Sequence, residues 1–297
     1  MSDASKKARR DQAREHAREM REQERKRKVR NGWIVRGSVG LALIAVAVIT
    51  VLVFNNVRQA EIAAAVPKPG PENMISDGIL LQGDGSGNIV AAPTKAIPAG
   101  GKPTPTDITK HADTVNIVTY IDYFCPVCQA FEQTNAEQIG TWVSGGAATL
   151  EVHPISILDR SSLGTRYASR SANAMACVAQ YDPNSFFQAT TAMYASQPGE
   201  GTAGLTDKEI ASVLAQAGVT DLKVVDCINK ETFKQWVTAA TERTSTGPIP
   251  NSELTRVGGT PTILVNGYQY PGAVDDANAF AQFVSAVASG SYVPPAK

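Results

Sequence analysis

Two cysteines separated by Pro126-Val127 close an apolar, β-branched run, NIVTYIDYFCPVCQAF, residues 116–131. Such a pair can hold a metal, staple a loop or shuttle electrons. Tetrahedral zinc asks for a second Cys-x-x-Cys or a Cys/His pair. Here Cys177 and Cys227 stand apart, and none of His16, His111 and His153 has ligand spacing. No metal and no other cofactor is therefore expected. A staple across so short a loop would stabilise little. Redox chemistry fits better. The run delivers Cys125 to the start of a helix, where free N–H groups and the helix dipole favour a thiolate. Pro126 suits the first helical position, which needs no N–H. Cys128, one turn on, can then resolve a mixed disulfide formed at Cys125.

A second stretch, GGTPTILVNG (258–267), places Thr260-Pro261 just before a strand. Proline there marks an edge or a special turn. A cis bond would set a backbone edge beside the thiols, where an extended substrate can pair with it. The dipeptide alone leaves cis and trans open. Asp122 reads either as a proton acceptor near the thiols or, preferred, as a solvated carboxylate at a strand end. His153 reads as a strand residue with a structural hydrogen bond.

These residues need a scaffold. TVNIVTYIDYF is a buried strand, QAFEQTNAEQIGTWV a helix with Phe131, Ile139 and Val143 inward, and ATLEVHPISIL (148–158) a second strand. That is a βαβ unit. From about 161 to 253 the chain is helical. SLGTRYASRSANAMACVAQY is one helix, and NSFFQATTAMYA opens on Asn184 as N-cap. TDKEIASVLAQAG carries a Thr206/Glu209 capping box and stops at Gly218. DLKVVDCI and KETFKQWVTAATER complete the block. GTPTILVNGYQY returns to strand, with Asn266-Gly267 as a hairpin turn. A closing helix, DDANAFAQFVSAVASG, turns Phe280, Phe283, Val284 and Val287 inward. The expected fold is one α/β domain, residues 106–292, with a helical insertion of about 161–253 and a short tail at 293–297. Upstream, VPKPGP and AAPTKAIPAGGKPTPTD are rich in proline and read as linker. The stretch 55–105 is expected to be a linker carrying a short hairpin around GILLQGDGSGNIVA.

The formal net charge of zero hides a polarised chain. Residues 1–36 hold thirteen Lys/Arg against six Asp/Glu, leaving fifteen against twenty-two in the rest. The apolar run WIVRGSVGLALIAVAVITVLVF (33–54) follows directly. Its 22 residues reach about 33 Å as a helix, enough to cross a hydrocarbon layer of about 30 Å. It is expected to be a single transmembrane anchor. The basic head, residues 1–32, then stays cytoplasmic and the bulk of the chain lies outside. AEIAAAVP (60–67) would offer a cleavage site if the run were instead a signal peptide. The head's polar face suits anionic lipid or plain solvation. No aromatic residue interrupts it, which disfavours nucleic-acid binding. Cysteines outside the membrane are free to oxidise.

Together, Phe-Cys-Pro-Val-Cys at a strand end, a helical insertion and GGTPTILVNG resemble the DsbA-like thioredoxin-fold disulfide oxidoreductases, in particular the membrane-anchored actinobacterial type. The resemblance covers about residues 106–292. It implies a thioredoxin fold with a helical insertion, an exposed nucleophile at Cys125, a resolving thiol at Cys128 and a substrate-binding cis-proline loop at Thr260-Pro261. It also implies a Cys177–Cys227 bond within the insertion, which would close a loop worth roughly 4 kcal/mol. The expected partners are exported proteins with free thiols and a quinone-linked membrane protein of the DsbB or vitamin-K-epoxide-reductase type. Two residues depart from strongly oxidising relatives: Val127 stands where they often have His, and Thr260 rather than Val precedes the proline. Oxidation of exported proteins is the expected activity. Reduction or isomerisation on the same fold, or peptide binding without turnover, are the alternatives.

Overall fold

The structure is a computed structural model that describes residues 67–294 and Met20. The basic head, the apolar run at 33–54 and the tail residues 295–297 lie outside the described residues, apart from Met20. No helix among the described residues is long and apolar enough to cross a membrane.

The described residues form a six-stranded sheet in the order β2-β1-β4-β3-β5-β6. Its strands are β1 (Ile79–Gly83), β2 (Ile89–Ala91), β3 (Val115–Ile121), β4 (Ala148–Pro154), β5 (Thr262–Val265) and β6 (Tyr268–Gln269). β3 and β4 run parallel, from Val115 opposite Ala148 to Ile121 opposite Pro154. Between them crosses helix α1 (Pro126–Ser144), which buries Cys128, Phe131, Asn135, Ile139 and Val143 at helical spacing. It ends where Gly146 takes a positive φ of 75°. β4 is buried at every position, as a strand covered on both faces must be. β5 pairs antiparallel with β3 and turns into β6 through Asn266 (φ 47°) and Gly267 (φ 85°), the left-handed pair that a tight hairpin needs. A second, smaller apolar cluster of Tyr120, Ile155, Ile249, Val257 and Leu264 accompanies the main core.

Between β4 and β5 come α2 (Tyr167–Tyr181), α3 (Phe186–Ala195), α4 (Asp207–Gln216), α5 (Leu222–Asn229) and α6 (Lys234–Thr246). The chain closes with α7 (Ala277–Ala288), whose Phe280, Phe283, Val284 and Val287 are buried. α2 is the hub of the insertion, buried along almost its whole length. Its run of alanines lets neighbours approach closely. The Thr206/Glu209 capping box opens α4.

Three sequence expectations need correction. α2 starts at Tyr167, because Leu163, Gly164 and Arg166 all take positive φ and Ser162 Oγ accepts the Tyr167 N–H. Asn184 does not cap α3. It sits in a 3₁₀ turn, Pro183–Ser185, and its Oδ1 accepts from Ala91 N–H at 3.1 Å. The third concerns the hairpin expected within a linker, whose strands belong to the sheet of the compact unit that begins at Pro67. β1 pairs with β4, Ile79 opposite Val152, so the hairpin is an integral edge of the sheet. The flanking Pro-rich segments are pinned as well. Gly70 N–H donates to Ile97 O, and Asp77, 4% exposed, accepts from Trp236 Nε1 (3.0 Å) and from Arg243 Nε (2.7 Å) and Nη2 (2.6 Å). Proline content alone could not reveal the partners of Asp77, which lie more than 150 residues away.

Candidate active site

β3 ends at Ile121, and a tight turn carries the chain into α1. Asp122 builds that turn: its carbonyl accepts from Cys125 N–H (3.0 Å) and its Oδ1 from Phe124 N–H (2.9 Å). Cys125 is then the N-cap of α1, in extended conformation, and Pro126 opens the helix. Both cysteines are free thiols. Across from them the Thr260–Pro261 bond is cis, and Cys125 Sγ donates to Thr260 O at 3.2 Å. The structure thus brings Cys125, Cys128, Thr260 and Pro261 into one site from opposite ends of the chain.

The two thiols are electrostatically unequal. The hydrogen bond from Cys128 draws the Cys125 thiol down to about 6. Burial opposes this, while the Thr260 side chain and the N–H groups of Cys128 and Val127 assist it. Cys128 is pushed well above the ordinary thiol range, first by burial and then by the hydrogen bond to Cys125 and its charge. At neutral pH the pair therefore holds one thiolate, on Cys125, and one proton, on Cys128. Cys125 is not the exposed nucleophile expected: it is 5% exposed, because the Thr260 carbonyl covers it, while Pro126 and Val127 form the exposed rim.

Asp122 is not the solvated carboxylate preferred from the sequence. It is fully buried, its Oδ2 accepts from Leu158 N–H at 2.9 Å, and burial pushes its pKa up to about 7. His153 is buried within the sheet, stacked on Tyr120 at 4.4 Å, with Nε2 3.3 Å from Glu151 Oε1. Two residues of the insertion escaped the sequence reading. Gln197 Nε2 donates to both Tyr123 O (2.9 Å) and Cys125 O (3.1 Å), and Tyr194 OH donates to Asp122 O (3.2 Å). The insertion thus clamps the dithiol turn from behind. Cys177 and Cys227 are apart from the dithiol and joined to each other, bonding α2 to α5 with an S–S distance of 2.04 Å.

Residues 105–287 match the sequence family described as Thioredoxin. Among solved structures, BdbD from Bacillus subtilis in its oxidised form is similar over 76% of this chain and 100% of that one, with 16% identity and a TM-score of 0.52. The reduced form of the disulfide bond oxidoreductase DsbG from Mycobacterium tuberculosis matches at 26% identity over 60% of this chain and 83% of that one, TM-score 0.48. The serine/threonine-protein kinase PknE of Mycobacterium tuberculosis is 34% identical over 118 residues, 37% of this chain. The chain spans only 21% of the length of that relative. Fold and dithiol together define an α/β thioredoxin-like protein with a paired-cysteine site at the start of its first helix. The family match covers more than half of the chain, and the chain belongs to the thioredoxin family.

Proposed function

We propose that this protein is anchored by residues 33–54, faces outward, and oxidises exported proteins through the Cys125–Cys128 disulfide. The asymmetry of the thiols carries the reading. A site that stabilises the Cys125 thiolate stabilises the reduced protein, and a dithiol whose reduced form is stabilised makes an oxidising disulfide. A substrate thiolate attacks Cys125 Sγ of the oxidised pair and Cys128 leaves. A second substrate thiolate then attacks the substrate's sulfur, releasing the substrate disulfide and the Cys125 thiolate. The backbone edge at Thr260-Pro261 lies where an extended substrate strand can pair. Reoxidation is assigned to a quinone-linked membrane partner of the DsbB or vitamin-K-epoxide-reductase type, on the family resemblance.

Two assays on one preparation test the direction. Oxidised protein should form disulfides in a reduced, unfolded multi-cysteine protein stoichiometrically within minutes. Its reduced form should precipitate insulin only slowly. Rapid insulin reduction with no substrate oxidation would make it a reductase, and inactivity in both would leave a peptide-binding module.

A further inference from the structure

Cys125 caps α1 with φ −81° and ψ 117°. That ψ settles two things at once. It aims the Cys125 carbonyl at the first turn of α1, as an N-cap requires. It also sets Sγ where the backbone N–H groups of Val127 and Cys128 reach it. The thiolate therefore depends on how firmly its own carbonyl is held.

Two glutamines hold that carbonyl in a closed ring of hydrogen bonds. Cys125 O accepts from Gln129 N–H in α1 at 3.1 Å and from Gln197 Nε2 at 3.1 Å. Gln129 answers across the ring, its Nε2 donating to Tyr194 O at 2.8 Å. The same Tyr194 oxygen accepts from Gln197 N–H at 3.3 Å, which closes the circuit. The other hydrogen of Gln197 Nε2 goes to Tyr123 O at 2.9 Å, two residues before Cys125. Gln197 is half-buried and comes from the loop after α3, where Ser196, Gly199 and Glu200 are exposed. The ring thus ties the nucleophile's backbone to the insertion. It has an electrostatic side as well. A carbonyl oxygen carries partial negative charge, and this one belongs to the residue that bears the thiolate. Two donors on it offset that charge.

We propose that Gln197, locked by Gln129, is a positioning residue of the dithiol: it fixes the Cys125 carbonyl so that the N–H groups opening α1 converge on Sγ. The inference rests on the dithiol reading above. Gln197 acts through the backbone of Cys125 rather than on its sulfur. Without it the Cys125 and Tyr123 carbonyls each lose a donor and the Cys125 ψ is freer. The thiolate then loses part of its N–H bonding, Cys125 becomes a poorer leaving group, and the disulfide becomes less oxidising. The titratable neighbours of Cys125, Cys128 on α1 and Asp122 on the turn, stay in place in the variants that follow.

The test titrates the Cys125 thiolate of the reduced full chain by ultraviolet absorbance and equilibrates the same proteins in glutathione redox buffers at pH 7. Gln197→Ala should raise the Cys125 pKa from about 6 by roughly half a unit to one unit, a three- to tenfold loss of thiolate stability. The glutathione equilibrium should move towards oxidised protein by roughly two- to fivefold, or about 10–20 mV at about 30 mV per tenfold. Gln197→Glu keeps the shape but exchanges the donor for a carboxylate, and should raise the pKa further. Gln129→Ala, which opens the ring from the other side, should shift it in the same direction by less. A packing role for Gln197 would instead lower the melting temperature, most in Gln197→Ala, and leave pKa and potential unchanged. That pattern overturns the proposal. Should the Gln197 variants not fold, an unshifted pKa in Gln129→Ala overturns it alone. A wild-type protein with both thiols near the ordinary 9.0 would defeat the dithiol reading itself and the proposal with it, a distinct outcome.

Discussion

At the scale of single residues, two sulfurs three positions apart in sequence are far apart in acidity. Iodoacetamide should alkylate Cys125 alone in the reduced protein, with a rate that titrates near pH 6, while Cys128 stays unmodified in the folded state. Cys128→Ser should accumulate mixed disulfides through Cys125. Faster labelling of Cys128 would invert the roles. Asp122 supplies a second, opposite pH signature. Its folded-state pKa of about 7 lies above its ordinary 3.8, so the folded protein binds a proton that the unfolded chain releases between those values. Stability should therefore fall as pH rises from about 4 to about 7, by at most a few kcal/mol. Urea melts of oxidised protein across that range should show a shallower decline in Asp122→Asn. An identical slope would remove Asp122 as the cause.

At the scale of elements, local signals and distant ones separate cleanly. The β3–α1–β4 unit was legible because each part announces itself within a few residues: β-branched run, proline at the first helical position, periodic Phe131, Ile139 and Val143. The Asn266-Gly267 hairpin and the Thr206 cap were legible for the same reason. What the sequence hid depends on contacts across the fold. Asp122 looks like any strand-end carboxylate until Leu158 and Tyr194 close over it. Gln197 sits in a loop 72 residues from Cys125 with no local pattern to mark it. The β1–β2 stretch was legible as a hairpin but not as part of the sheet, because its partner strand β4 starts 65 residues after β1 ends. That hairpin yields a test. A fragment starting at residue 67 should fold, whereas one starting at 106 should not, since it exposes the β4 edge and strands Arg243 without Asp77. Asp77→Ala should cost about 2–3 kcal/mol in denaturant melts, below the range for a fully buried pair because Arg243 is 34% exposed. A loss within 0.5 kcal/mol, the scatter of ordinary surface changes, would show that the strap is held elsewhere.

At the scale of the whole molecule, two expectations concern assembly and address. The Cys177–Cys227 bond closes a loop with a sequence separation of 50, worth about 4 kcal/mol in the loop-entropy model. Replacing both cysteines with alanine should lower thermal stability markedly and leave the glutathione reaction of Cys125 intact. Equal loss of both would place the bond in the redox machinery. For the proposed topology, alkaline phosphatase fused after residue 70 should be active outside the membrane, and a mature protein beginning near Ala65 would show that the apolar run is cleaved.

The central claim is that this dithiol is poised to oxidise. Its thiolate on Cys125 has a folded pKa near 6 against an ordinary 9.0, so the stabilisation of reduced protein is complete above pH 9 and fades as pH falls through 6. The disulfide should accordingly be more oxidising at neutral pH than that of a thioredoxin, though short of the extreme, with Val127 between the cysteines. Equilibrating the protein in glutathione redox buffers at pH 7 and counting Cys125 and Cys128 thiols measures this directly. A potential above about −200 mV is the expected result, against about −270 mV for thioredoxin. A value at or below the thioredoxin one would contradict the account and make the protein a reductase.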